Sequence, residues 1–118
     1  MAEFNTTIKN QNDVNIIYLK GFLDAHTAPV LENNFSELIK ADKYNIVVNF
    51  KDLNYISSAG LGVFMAFIEK VREKNGDIKL AGMNEKVYNI FDLLGFPLLY
   101  EIYPTEEEAI NKFNEKQN

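Results

Sequence analysis

Ser57 and Ser58 stand side by side in the stretch NYISSAGLGVF, residues 54–64, and Ala59-Gly60-Leu61-Gly62 follows them. A hydroxyl can act as a nucleophile, as a phosphate acceptor or as a helix cap, and its neighbours decide which. The chain has one histidine, His26, and no cysteine. A Ser-His-acid triad would have to combine His26 with Ser57 or Ser58 as nucleophile. The strained turn that presents such a serine requires Gly-x-Ser-x-Gly. Ile56 occupies the position two before Ser58, so that motif fails.

Other chemistries fare no better. The acidic cluster Glu106-Glu107-Glu108 falls in the first turn of an expected helix, where negative charge complements the dipole, so it is not read as a metal site. Gly60-x-Gly62 hints at a dinucleotide loop, but Met65 stands where the third glycine is required. No Walker-type phosphate loop is present. The residues therefore predict no enzyme, no metal and no cofactor.

The totals bound the partners. The chain has 118 residues, 47% of them hydrophobic, which is enough for a packed core. Its formal net charge of −5 argues against nucleic acid and anionic membrane as partners. No apolar run approaches the ~20 residues of a membrane span, and MAEFNTTIKNQ has no signal-peptide core. A cytoplasmic protein, monomeric when free, is expected.

The elements that must position the serines follow from periodicity. Phe4–Ile8 and Val14–Leu19 read as strands joined by the turn Asn10-Gln11-Asn12-Asp13, with Gly21 ending the second. Leu31, Phe35, Leu38 and Ile39 mark a helix with Thr27 as N-cap and Pro29 in its first turn. Ile46-Val47-Val48 reads as a strand covered on both faces. Leu61, Phe64, Met65, Ile68 and Val71 mark the core stripe of a second helix, stopped by Asn75-Gly76. Ile78-x-Leu80-Ala81 is a strand. Val87, Ile90, Phe91 and Leu94 are a third helical stripe ended by Gly95. Leu98–Tyr103 reads as a last strand. Thr105-x-x-Glu108 is a capping box for a fourth helix toward Phe113, with Asn114–Asn118 as a frayed tail. The predicted class is α/β, in the order β-β-α-β-α-β-α-β-α, with a mostly parallel mixed sheet of about five strands and four helices.

The serines thus sit at a strand-to-helix junction. A cap accounts for one hydroxyl. It does not account for Gly60 and Gly62, since glycine in a helix costs about 0.5–1 kcal/mol relative to alanine. A bare backbone surface for a partner accounts for both.

YISSAGLGVF, preceded about thirty-five residues earlier by GFLDAHTA, resembles the STAS domains, and among them the stand-alone anti-sigma factor antagonists. The resemblance covers nearly the whole chain, about 4–113, and implies one STAS domain over 1–118. In that family the serine two before the first glycine of the motif is the regulatory phosphorylation site, which here is Ser58. The acidic residue closing Gly-x-Leu-Asp, here Asp24, lies near it. Many members carry Asp where this chain has Ser57, so two hydroxyls stand side by side, and the register assigns the phosphate to Ser58. The resemblance implies an anti-sigma factor of the GHKL type that is also a serine kinase. The unphosphorylated antagonist binds it and releases a sigma factor. Phosphorylation ends the binding, and a PP2C-type phosphatase restores it.

The partner surface implied by these readings comprises Asp24, Ser57, Ser58, Gly60, Leu61 and Gly62. It continues along the helix through Val63 and Phe67, which lie at the edge of the core stripe. Two alternatives stand beside this one: a STAS subunit of a larger scaffold or transport complex, and a nucleotide-binding protein or enzyme on a similar α/β scaffold.

Overall fold

The computed structural model describes residues 3–115. β1 (Phe4–Gln11) and β2 (Val14–Leu23) form an antiparallel hairpin turned by Asn12 in the left-handed region, φ 58°. α1 (Ala28–Lys40), β3 (Asn45–Ile56), α2 (Ser58–Glu73), β4 (Asp77–Ala81) and α3 (Glu85–Leu93) follow. A 3-10 turn at Phe96–Leu98, the two-residue β5 (Ile102–Tyr103) and α4 (Glu106–Glu115) complete the order. The five strands lie in sequence order in one sheet, and every pairing after the hairpin is parallel.

Each parallel step needs a crossover, and α1, α2 and α3 supply them. Their apolar faces close one side of the sheet around Phe35, Phe50, Phe64 and Phe91, all fully buried. Phe50 stacks on Phe64 at 5.7 Å between ring centroids, and Phe91 meets Phe50 edge-on at 5.3 Å. α4 covers the other side with Ala109, Ile110 and Phe113 against Val14, Ile16, Val47 and Ala81. The central strand β3 is therefore apolar on both faces over Ile46–Val48, as its continuous apolar run requires.

Several boundaries differ from those predicted. Gly21 does not end β2. It lies at a register irregularity with φ 101°, where a Cβ would sit 2.0 Å from the Glu3 carbonyl oxygen, and the strand continues to Leu23. Glycine here permits a bulge rather than a stop. The segment Leu98–Tyr103 is not a full strand either. Gly95, at φ 79°, ends α3 and leads into the 3-10 turn, leaving only two residues to pair with β4. Half of the predicted capping box forms: the Glu108 amide donates to Thr105 Oγ1 at 3.2 Å, while Glu108 Oε1 accepts from the Thr105 hydroxyl, at 3.3 Å, rather than from its amide. Of the tail predicted to fray, Asn114 and Glu115 continue α4, and 116–118 lie outside the described residues.

Candidate functional site

The two serines take different places at the junction of β3 and α2. Ser57 is the N-cap, with extended backbone and a half-buried side chain that accepts a long hydrogen bond from the Gly60 amide, 3.4 Å. Its own amide donates to the Leu23 carbonyl at 2.9 Å, which ties the start of α2 to the end of β2. Ser58 is the first residue of the helix and is exposed. The Leu61 amide is the first to close a helical hydrogen bond, to the Ser57 carbonyl at 3.0 Å. The earlier amides of the first turn are the ones a helix leaves without intrahelical partners, and they sit at its positive end.

Asp24 lies one residue beyond Leu23 and so beside this junction. Its carboxylate is committed elsewhere. Oδ1 accepts from the amides of His26 at 2.9 Å and Thr27 at 3.1 Å. Thr27 is the N-cap of α1, as predicted, although its hydroxyl makes no capping bond. It donates to the Phe22 carbonyl at 2.8 Å and accepts from the Asp24 amide at 2.9 Å. Asp24 therefore organises the entry to α1. Among the described residues no hydrogen bond joins its side chain to Ser58.

The STAS domain family matches over residues 5–109. The chain belongs to the STAS domain family. It is 29% identical over 107 residues to the "Anti-sigma-B factor antagonist" of Bacillus subtilis, covering 90% of this chain and 96% of that protein. It is 28% identical over 109 residues to the "Anti-sigma F factor antagonist" of Paenibacillus polymyxa, covering 92% of this chain and 91% of the relative. Its fold superposes on Bacillus SpoIIAA, an anti-sigma factor antagonist solved in two forms. The unphosphorylated form gives a TM-score of 0.81 at 23% identity, covering 94% of this chain and 97% of that one. The phosphorylated form gives 0.72 at 23% identity, covering 94% and 99%.

Within this STAS domain the two glycines of the motif have separate reasons. A Cβ on Gly60 would stand 2.8 Å from Leu23 Cγ and 3.0 Å from Ile56 Cγ1. Gly60 is buried and lets α2 press onto the ends of β2 and β3, so it does not clear space for a partner as predicted. Gly62 is exposed and a Cβ there would meet nothing within 4 Å. No packing demand inside the domain accounts for that glycine.

Two other members of the predicted surface are core residues, and a third is partly buried against the core. Leu61 is 5% exposed and Val63 only 3%. Phe67 is half-buried, its ring 5.3 Å from that of Phe35 on α1, with the Lys70 ammonium over it at 5.3 Å. α2 packs against α1 as well as the sheet, so its buried arc is wider than one sheet face demands, and Phe67 fills the α1 side. Met65, predicted in the core stripe, is instead 47% exposed.

The exposed arc of α2 is the part that sequence reasoning missed. Ser58, Gly62, Met65, Ala66 and Glu69 are all exposed. At 100° per residue they fall within an arc of about 100°, with Ala59 at its edge. Counting round the helix from Ser58, rather than from the apolar stripe, finds this face. It begins with a hydroxyl, carries almost no side-chain bulk for its first turns, and ends in a thioether and a carboxylate. Such a face can admit a close-packed partner and can be altered by one phosphate.

Proposed function

We propose that this chain is an anti-sigma factor antagonist whose unphosphorylated form binds an anti-sigma factor and releases a sigma factor, and that phosphorylation of Ser58 ends the binding. The carrying observation is the exposed Ser58 at the first position of α2, at the head of a face kept small by Ala59, Gly62 and Ala66. The names of the curated relatives support the same reading, as does the phosphorylated form of SpoIIAA.

The physical argument is one of charge and bulk. A phosphoserine carries about −1.5 to −2 charges. At a helix N-terminus it faces unpaired amides and the positive end of the dipole, so the fold accommodates it. A partner packed against a neutral hydroxyl and glycine backbone meets a bulky dianion instead. An unfavourable change of about 3 kcal/mol weakens binding about a hundredfold. The anti-sigma factor acts in this scheme as the serine kinase, of the GHKL type, and a PP2C-type phosphatase resets the switch in the cytoplasm. The chain itself is a binding module and not an enzyme.

Titration of the unmodified chain and of Ser58→Asp against the anti-sigma factor of the same cell tests the reading. The unmodified chain should bind and displace a sigma factor, and the variant should bind at least about a hundredfold more weakly. Equal binding by both, or binding that releases no sigma factor, would overturn it.

A further inference from the structure

Four leucines stand in solvent where α3 ends. Leu93 is 86% exposed and Leu94 57%, while Leu98 is 91% exposed and Leu99 47%. The chain between the two pairs is short and folded back on itself. Gly95 ends α3 in the left-handed region, and the Leu98 amide donates to its carbonyl at 3.1 Å. The pairs therefore lie close together in one patch.

The core beneath them is already filled. Phe96, between the pairs, is buried, its ring edge-on to Phe91 at 5.0 Å and stacked on Tyr100 at 5.4 Å. Those rings anchor the turn and hold the leucines outward. The leucines expose roughly 500 Å², within the range of the largest apolar patches on monomeric proteins, about 300–600 Å², which are often functional.

The charges around the patch decide what covers it. No residue from Leu93 to Tyr100 is charged. The rim carries both signs. Asp92 is exposed beside Leu93, and Arg72, whose side chain is 42% exposed, donates to the Leu99 carbonyl at 2.6 Å. An anionic membrane is a poor match for a chain of net charge −5. A second copy is a good one. In a twofold contact, residue i of one copy meets j of the other and j meets i. The uncharged centre then faces itself without like-charge repulsion, and Arg72 of each copy is set against Asp92 of the other. Two such patches bury roughly 1,000 Å² in all, the size at which a specific interface begins.

We propose that this leucine patch is a twofold interface between two copies of the chain, in place of the free monomer expected from the sequence. Arg72 lies fourteen residues along α2 from Ser58, about 21 Å at 1.5 Å per residue, so the dimer leaves the Ser58 face open.

Sedimentation equilibrium on the full chain tests this. The chain should form a closed dimer with a Kd of about 100 µM or tighter. Leu93→Glu and Leu98→Glu, both at exposed positions, should each weaken it at least tenfold with the melting temperature unchanged. Asp92→Arg should weaken it severalfold. Val30→Glu, at an exposed apolar position on α1, should leave it intact. Weaker association or monomer throughout, whether or not the chain floats with phosphatidylcholine vesicles, overturns the proposal. So does a dimer unchanged in both leucine variants, or one lost equally in Val30→Glu. An unchanged Kd in Asp92→Arg, or open-ended assembly, overturns the twofold arrangement.

Discussion

Gly60 stands directly against Leu23: a Cβ added to the glycine would lie 2.8 Å from the leucine Cγ. The contact seats the start of α2 on the end of β2, and the bond from the Ser57 amide to the Leu23 carbonyl holds the same two segments together. Gly60→Ala should therefore destabilise the domain by about 1–3 kcal/mol through overpacking. Gly62→Ala, facing open space, should stabilise it by about 0.5–1 kcal/mol and weaken partner binding. Denaturant midpoints and binding titrations of the two variants check this. Equal stability losses would contradict the division of roles.

Asp24 acts on stability through the first turn of α1. Asp24→Ala removes the acceptor for the His26 and Thr27 amides and should cost about 1 kcal/mol. Asp24→Asn keeps an oxygen in place and should keep most of that stability. A loss of binding or phosphorylation in Asp24→Asn, at unchanged melting temperature, would then report the carboxylate charge itself.

Phe67 and Met65 should exchange the roles that helical spacing suggests. Phe67→Ala removes a ring packed on Phe35 and should cost on the order of 2–3 kcal/mol of stability, below a fully buried phenylalanine. Met65→Ala should leave the denaturation midpoint nearly unchanged and weaken partner binding. The reverse pattern would place the binding surface on the α1 side of the helix.

Alkaline pH should unfold the domain through its tyrosines. Burial first, and then a hydrogen bond to Glu106, pushes the Tyr18 hydroxyl from 10.0 up to about 12. Burial also raises Tyr100 and Tyr103. Because the folded values lie above the unfolded ones, this stability is fully present below pH of about 10 and falls as the pH rises toward about 12. Urea midpoints across this range, with phenolate absorbance as a second probe, should fall together. A flat midpoint would contradict the shifts.

The strand and helix order was legible because each element carries its own period, and because Asn75, Gly95 and Thr105 punctuate the chain. The place of the two serines at a strand-to-helix junction was legible from the apolar run that ends before them and the helical spacing that follows. The reach of β2 was not, since Gly21 reads as a stop and only the Glu3 carbonyl beside it explains a glycine inside a strand. Nor was the orientation of α2. A hydrophobic stripe gives the centre of a buried arc but not its edges, and the edges depend on a second neighbour, here α1. That neighbour half-buries Phe67 through Phe35, while Val63 is buried and Met65 is left in solvent. The separate reasons for Gly60 and Gly62 were equally hidden, because only the atoms around each one distinguish packing from open space.

The central claim is that Ser58 takes the phosphate and that the phosphate breaks the complex. Phosphosite mapping after incubation with the anti-sigma kinase and ATP, on the native chain, Ser57→Ala and Ser58→Ala, tests it most directly. The account predicts one phosphate on Ser58 in the native chain, most of that labelling retained in Ser57→Ala, and none in Ser58→Ala, which should still bind the kinase. Label persisting in Ser58→Ala, or a phosphorylated chain that binds as tightly as the unmodified one, would contradict it.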